Sequence, residues 1–293
     1  MKRIIINGDD LGLSYGINSG IIKAYREGIL TSASLMVNMP AFEDALGLIK
    51  ENPGLDIGLH VNFFRGRPVL PHQKTKTLTD KNGFFLQDPL KIALGIYRKR
   101  ISLVELESEC AAQIKKALEM GVNITHLDSE KHLHLIDDVY KVIVKLGREN
   151  GILKIRSINE FPYFPNFVLN PKSALSTRLF KTCILQFFSR RIKRVNAINS
   201  IKTTDYSFGL LESGCMTFSK YERLFNCLKD GTTEIICHVG EAVSDAEEKS
   251  LRKDKYYLAA SLGTELSILI DVRLKEVISS LNISLTNHAG DPF

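Results

Sequence analysis

The sequence predicts an α/β protein forming one large domain over residues 1–293, built as a (β/α) barrel of about seven or eight parallel strands. Two observations carry this. Short runs rich in Ile, Val and Leu alternate with amphipathic stretches along the whole chain, the pattern of parallel strands covered by helices. In addition, nearly every candidate strand delivers a polar residue at or just after its C-terminal end: Asn7, Asp9 and Asp10; Asn38; His60 and Asn62; His126, Asp128 and Glu130; Arg156; Asp205; His238. In a barrel those ends meet at one mouth, whereas an open doubly wound sheet gathers residues only from the strands flanking its switch point.

Taken in order, Arg3–Asn7 is short and apolar and predicts a buried strand, followed by a helix over Asn18–Glu27. Strands are expected at Ser32–Asn38 and Asp56–Asn62, with a helix over Ala41–Glu51 between them. The connection from Phe63 to Arg100 is too long for a simple loop, and Gly66, Pro68, Pro71, Asn82 and Gly83 predict turns and a hairpin around Phe84 and Phe85. Val104–Met120 carries Leu106, Cys110, Ile114 and Leu118 at four-residue spacing and stops at Gly121, so it reads as an amphipathic helix. Strand Asn123–Asp128, helix Asp138–Asn150 and strand Leu153–Ser157 follow. After a basic segment come strand Thr203–Phe208, helix Lys220–Lys229, strand Thr233–Val239, helix Leu262–Leu281 and strand Ile283–Thr286. The domain thus carries two insertions, at about 63–100 and 161–204.

Composition removes several function classes. The chain has 293 residues, 44% of them hydrophobic and 25% charged, which excludes disordered and collagen-like proteins. The longest apolar runs fall well short of the roughly 18 residues of a membrane span. The apolar stretch after Met1-Lys2-Arg3 ends at Asn7, too early for a signal-peptide core, so a cytoplasmic location is expected. Five widely spaced cysteines without a C-x-x-C pair argue against disulfides or a zinc cluster and predict buried thiols. The net charge of +6 is local: residues 161–204 hold eight cations and no acid, leaving 31 basic against 33 acidic side chains elsewhere.

The chemistry-bearing residues lie at the predicted strand exits. Asp9 and Asp10 are adjacent carboxylates at a sharp turn before Gly12, where like charges push one pKa up unless a cation intervenes. The bland alternative is that one of them caps the next helix. His60 ends the run Ile57-Gly58-Leu59, and Thr125 to His134 packs His126, His132 and His134 with Asp128 and Glu130 into ten residues. Imidazoles among carboxylates are what divalent transition metals bind. His238 leaves a further strand. Acids and imidazoles arriving from four strands at one mouth point to a mononuclear metal site with a base and an acid beside it, hence metal-assisted hydrolysis. No G-x-S-x-G, G-x-G-x-x-G or P-loop occurs.

Asn7-Gly8-Asp9-Asp10-Leu11-Gly12, Ile57-Gly58-Leu59-His60 and Thr125-His126-Leu127-Asp128-Ser129 resemble the signatures of the YdjC-like carbohydrate deacetylases. That group includes chitooligosaccharide deacetylase and the hopanoid-biosynthesis deacetylases. The resemblance runs from about Lys2 to Asn287 and is poor across the basic segment. It implies a distorted (β/α) barrel that removes acetyl groups from N-acetylated sugars with one divalent ion (Mg, Zn or Mn). Carried over, Asp9 is the general base and His238 the acid that protonates the departing amine. Asp10 and His60 hold the metal, while His126, Asp128, His132 and His134 line the substrate cleft or orient ligands. The family pattern His-Leu-Asp-Ser-His ends here in Glu130, so the implied third ligand is a carboxylate. Asp137 and Val239 stand where the family carries prolines. Replacing a neutral ligand by Glu130 lowers the charge of the ion and its ligands by one, which predicts an alkaline-shifted pH profile relative to a Glu130→His variant.

Within the basic segment, Leu175, Leu179, Cys183, Ile184, Phe187 and Phe188 recur at helical spacing before Arg190-Arg191-Ile192-Lys193-Arg194. This describes a basic amphipathic helix over about 174–194, suited either to packing as a lid or to an anionic membrane surface that presents a lipid-linked sugar. No nucleic-acid partner is expected, since no reading motif accompanies the cations. A homodimer is left open. Two rival activities stand beside the deacetylase: another metal-dependent hydrolase such as a phosphoesterase, and a non-catalytic sugar-binding protein in which Glu130 marks a lost metal site.

Overall fold

A computed structural model describes residues 1–160, 175–210, 212, 214–241 and 259–290. Its centre is β1 (Lys2–Leu11), whose Ile4, Ile5 and Ile6 are buried on both faces as a parallel central strand requires. β2 (Ser32–Leu35), β3 (Asp56–Val61) and β4 (Ile124–Ser129) extend the sheet on one side, and β6 (Gly231–Cys237) with β5 (Tyr206–Phe208) on the other, in the order β4-β3-β2-β1-β6-β5. β7 (Ser284–Leu285) pairs with Arg3 and Ile4 of β1. The Ile4 and Ile6 carbonyls accept from Thr286 and Thr31, so β7 covers the lower half and β2 the upper half of the same edge.

All strand pairings are parallel and the seven strands match the expected number, but among the described residues they form a curled half-barrel and not the full barrel expected. The predicted strand Leu153–Ser157 contributes only single bridges, Ile155 to Leu127 of β4 and Lys154 to Lys202. A longer ladder there would be built around two lysines placed directly opposite each other, which is unfavourable.

Helices α1 (Tyr15–Glu27), α2 (Phe42–Glu51), α4 (Leu103–Glu119), α5 (Asp137–Glu149) and α7 (Phe218–Cys227) follow the expected pattern. Ser14 caps α1 through Ile17 N–H, so neither Asp9 nor Asp10 is a helix cap. In α4 the buried stripe is Leu106, Cys110, Gln113, Ile114 and Ala117, while Leu118 is exposed. Strict four-residue spacing drifts by about 40° per step on a helix of 3.6 residues per turn, which carries Leu118 off the core face. The long connection adds α3 (Pro89–Tyr97), started by Asp88, and makes the turn around Phe84 and Phe85 through a Thr79–Phe85 bridge. Glu109, buried on α4, accepts from Val69 and Leu70 N–H and so anchors that connection to the barrel.

The single helix expected over Leu262–Leu281 is two, α8 (Ala259–Leu269) and α9 (Val272–Ser280), because Asp271 accepts from Arg273 N–H and starts a new helix. The basic segment contains α6 (Leu175–Asn199), and residues 161–174 lie outside the described residues. Ile192 is buried and Leu185 and Phe188 pack on the core, whereas Phe187 and Ile198 are exposed. Cys110 and Cys237 are buried, but Cys183, Cys215 and Cys227 are exposed, contrary to expectation. Among the described residues no helix is long and apolar enough to cross a membrane.

Candidate metal centre

Side chains alternate along β1, so Asn7 and Asp9 point into the curl of the sheet. A register shift between Gly8 and Leu11 and a positive φ of 73° at Asp10 then turn the neighbouring carboxylate to the same mouth. Gly12 completes the turn. Its φ is 94°, and a Cβ there would lie 2.7 Å from the Met36 carbonyl oxygen.

His60 comes from the end of β3 and is 3% exposed. Its Nδ1 lies 2.8 Å from Oδ1 of Asp128 on β4. A carboxylate only accepts, so Nδ1 carries the proton and Nε2 faces Asp10 at 3.7 Å and Glu130 at 3.5 Å. One ligand atom each from Asp10, His60 and Glu130 lie within 4.8 Å of one another, all buried. Asp128 thus stands behind His60 as carboxylates stand behind metal-ligating histidines. Its other oxygen accepts from Ser34, which in turn accepts from Asn7. Asp9, His60 and Asp128 form a second group at the same spacing, but Asp9 and Asp128 are taken up by Arg156.

Arg156 is the residue whose role the sequence does not disclose. It is fully buried, and its Nη1 and Nη2 donate to Asp9 Oδ2 and Oδ1 at 2.8 and 2.7 Å. Nη1 also lies 2.5 Å from Asp128, and Nε donates to Glu234 at 2.7 Å. Burial pushes Asp9, Asp128 and Glu234 up, and this guanidinium more than reverses the effect, holding all three below the usual carboxylate range.

The loop after β4 is strained at the site, with Lys131 and His132 both in the left-handed region at φ of 55° and 57°. Glu130 Oε1 lies 3.2 Å from Arg65 Nε and from Lys131 Nζ. Asn62 places Arg65 by accepting from Phe64 and Arg65 N–H. Burial raises Glu130, but Lys131, Arg65 and His60 bring it well below the ordinary value. Asp10 moves the other way. Burial and then the Glu130 charge push it up to about 7, while burial lowers His60 but Asp128 and Glu130 raise it well above an ordinary imidazole. Both shifts describe a pocket short of positive charge, and its donor set of two carboxylates and one imidazole fits a divalent ion.

The other predicted residues spread out. His238 lies at the mouth with Nε2 3.9 Å from Asp10 Oδ2, and burial lowers its pKa, keeping it neutral. His134 is fully buried; its Nδ1 meets Ser129 Oγ and its Nε2 lies 3.2 Å from the Arg156 carbonyl, so it fixes the segment that places Arg156. His132 packs edge-on against His134. His126 sits deeper, stacked on His288 at 3.7 Å and lying over Gly58, where a Cβ would come within 2.2 Å of its Nε2. Glu265, which sequence reading passed over, accepts from His238 N–H and Tyr221 Oη–H, and burial pushes it up to about 7.

Residues 3–280 match the model of the YdjC family, described as YdjC-like protein. The chain belongs to this family. Among the relatives of this YdjC-like protein, a carbohydrate deacetylase of Thermoanaerobacter pseudethanolicus is 28% identical over 99% of both chains. A carbohydrate deacetylase of Brevibacillus brevis is 42% identical over 149 residues, which are 50% of this chain and 56% of that protein, so the matched part spans little more than half of the relative. The fold is shared with a crystal structure from Enterococcus faecalis V583 described as that of a candidate cellobiose-phosphate cleavage protein. That likeness has a TM-score of 0.73 at 23% identity and covers 98% of each chain.

Proposed function

We propose that this YdjC-like protein removes the acetyl group from an N-acetylated amino sugar, using a divalent ion held by Asp10, His60 and Glu130. The observation that carries the reading is the meeting of those three ligands within 4.8 Å, beside an Asp9 clamped by Arg156. The relatives' description as carbohydrate deacetylases supports the substrate class. When bound, the ion polarises the amide carbonyl and acidifies the attacking water.

Asp9 acts as the base. A carboxylate offers about four acceptor sites, and Asn7 and Arg156 occupy three of those on Asp9, leaving one on Oδ2 for the water proton. The Arg156 clamp keeps Asp9 ionised and aimed, and it moderates the basicity of a group that acts on already acidified water. Asp128 holds the imidazole of His60 in the tautomer that presents Nε2 to the ion. The proton that Asp9 takes from the water passes to neutral His238 at the mouth, which delivers it to the departing amine as the C–N bond breaks, so Asp9 and His238 return to their starting states.

The test measures bound divalent metal per chain after chelation and refilling, for the native protein and for Asp10→Asn, and then acetate and phosphate release from a panel of acetylated and phosphorylated sugars. One equivalent of metal, lost in the variant, with acetate released, is the expected result. Phosphate release instead identifies a phosphoesterase. Sugar affinity without metal or turnover identifies a binding protein.

A further inference from the structure

The opposite end of the half-barrel carries a second cavity, of about 470 Å³, that shares no residue with the proposed ligand set. Its walls come from the start of β1 (Arg3, Ile5), the bridge segments around Lys154 and Lys202, Thr232 at the start of β6, and residues 286–290 after β7. Four cations line one concavity, with Thr203, Thr204 and Thr232 between them: Arg156, whose guanidinium is committed to Asp9, Asp128 and Glu234, and Arg3, Lys154 and Lys202.

Arg3 Nε donates to Thr232 Oγ1 at 3.0 Å, and among the described residues neither Arg3 nor Lys202 makes a salt bridge. Asp205, the one acid in the lining, uses Oδ2 to accept from Thr232 N–H at 2.7 Å. Thr232 Oγ1, accepting from Arg3, keeps its own proton to donate. The buried Oγ1 of Thr204 has no hydrogen-bond partner. Deeper in, His288 is 5% exposed, and its Nε2, also without a hydrogen-bond partner, stands 3.7 Å from Glu234.

We propose that this lower mouth is a binding site for a small oxyanion, the phosphate group of a small metabolite or free phosphate. Guanidinium, ammonium and hydroxyl donors around one space are the donor set of a phosphate site. The shape favours a small molecule over a nucleic acid, because the volume lies within the roughly 300–1,000 Å³ range of small-molecule pockets. The inference uses none of Asp9, Asp10, His60, Glu130 or His238, and Arg156, which also lines the cavity, spends its donors on Asp9, Asp128 and Glu234.

Isothermal titration of the full chain with inorganic phosphate and with glycerol 3-phosphate tests it, using the native protein, Lys202→Glu, Arg3→Ala and Arg65→Ala. The last removes a cation at the upper mouth. Saturable binding that Lys202→Glu weakens by about tenfold or more, that Arg3→Ala weakens in the same direction and that Arg65→Ala leaves unchanged is the expected result. Thermal melts of the Lys202 and Arg3 variants show that they remain folded. Equal affinity for both probes assigns the site to free phosphate, and tighter binding of the ester assigns it to a phosphomonoester. Absence of saturable binding up to about 10 mM of either probe, or binding lost in Arg65→Ala and kept in Lys202→Glu, overturns the proposal.

Discussion

Replacing Arg156 by Met removes the one cation shared by Asp9, Asp128 and Glu234 while keeping a long side chain in the same space. Breaking a buried pair by removing one partner costs roughly 3–5 kcal/mol, and here one guanidinium serves three carboxylates that are all at most 3% exposed. Against a typical stability of about 5–15 kcal/mol, the variant should stand near the edge of folding around neutral pH. The deficit should also depend on pH. In the native protein the three carboxylates are held below their ordinary values, so their contribution is complete above those values and is lost only in strong acid. Without Arg156, burial acts alone and raises them, so protonation relieves part of the penalty as the pH falls. Urea melts of Arg156→Met at about pH 7.5 and about pH 5 should therefore give a large loss that shrinks on acidification. Arg156→Lys, which keeps the charge but not the fork, should recover part of it and remain measurable if the Met variant does not fold. A loss below about 1 kcal/mol, or an equal loss at both pH values, would refute the role assigned to Arg156.

Three further outcomes are expected. Because Asp10 is raised to about 7 before any ion binds, metal uptake must displace its proton. Because His60 is also raised well above an ordinary imidazole, its proton must leave too, so affinity measured by competition with a chelator of known pH dependence should fall by more than about tenfold per pH unit below about 7 and still fall, less steeply, just above it; a flat response would contradict that ordering. Asp9→Asn should leave bound metal near the native level while lowering acetate release by a factor of about 10² or more, and loss of metal in this variant would place Asp9 among the ligands instead. Glu130→His should weaken metal binding by about tenfold in this chain, since it leaves Arg65 and Lys131 facing a dication without the carboxylate they contact. Restoring the binding with Lys131→Ala in the Glu130→His background is the check, and tighter binding in the single variant would sink the argument.

This last expectation rests on neighbours of Glu130 that the sequence does not show, and they mark where sequence reading stops. Asp10, His60 and Glu130 are legible because a parallel sheet brings its C-terminal strand ends together, so polar residues after apolar runs share a mouth. The charge that surrounds them is not legible. Lys131 reaches Glu130 through a left-handed backbone that no propensity favours, and Arg65 reaches it because Asn62 folds the loop after β3. Arg156 is visible as a polar strand-end residue, but its partners Asp9 and Glu234 are 147 and 78 positions away. His126 shows the same limit in reverse: it belongs to the densest histidine cluster in the chain, yet strand alternation and the missing side chain of Gly58 send it below the mouth to stack on His288.

The partners that sequence leaves out also decide what the centre lacks. Among the described residues five buried carboxylates, Asp9, Asp10, Asp128, Glu130 and Glu234, are linked through His60 and Arg156, and three cations, Arg156, Arg65 and Lys131, are set against them. With neutral imidazoles this leaves two negative charges, and burial makes such an excess costly. The excess shows in the ligands themselves: His60 is raised well above an ordinary imidazole and Asp10 is pushed up to about 7. Both shifts hold protons on proposed ligands, so one divalent ion would displace them and close the balance. Glu130 therefore need not mark a decayed site: the carboxylate that stands in for a histidine comes with Arg65 and Lys131 beside it, and the charge left for the metal to answer is still that of a dication.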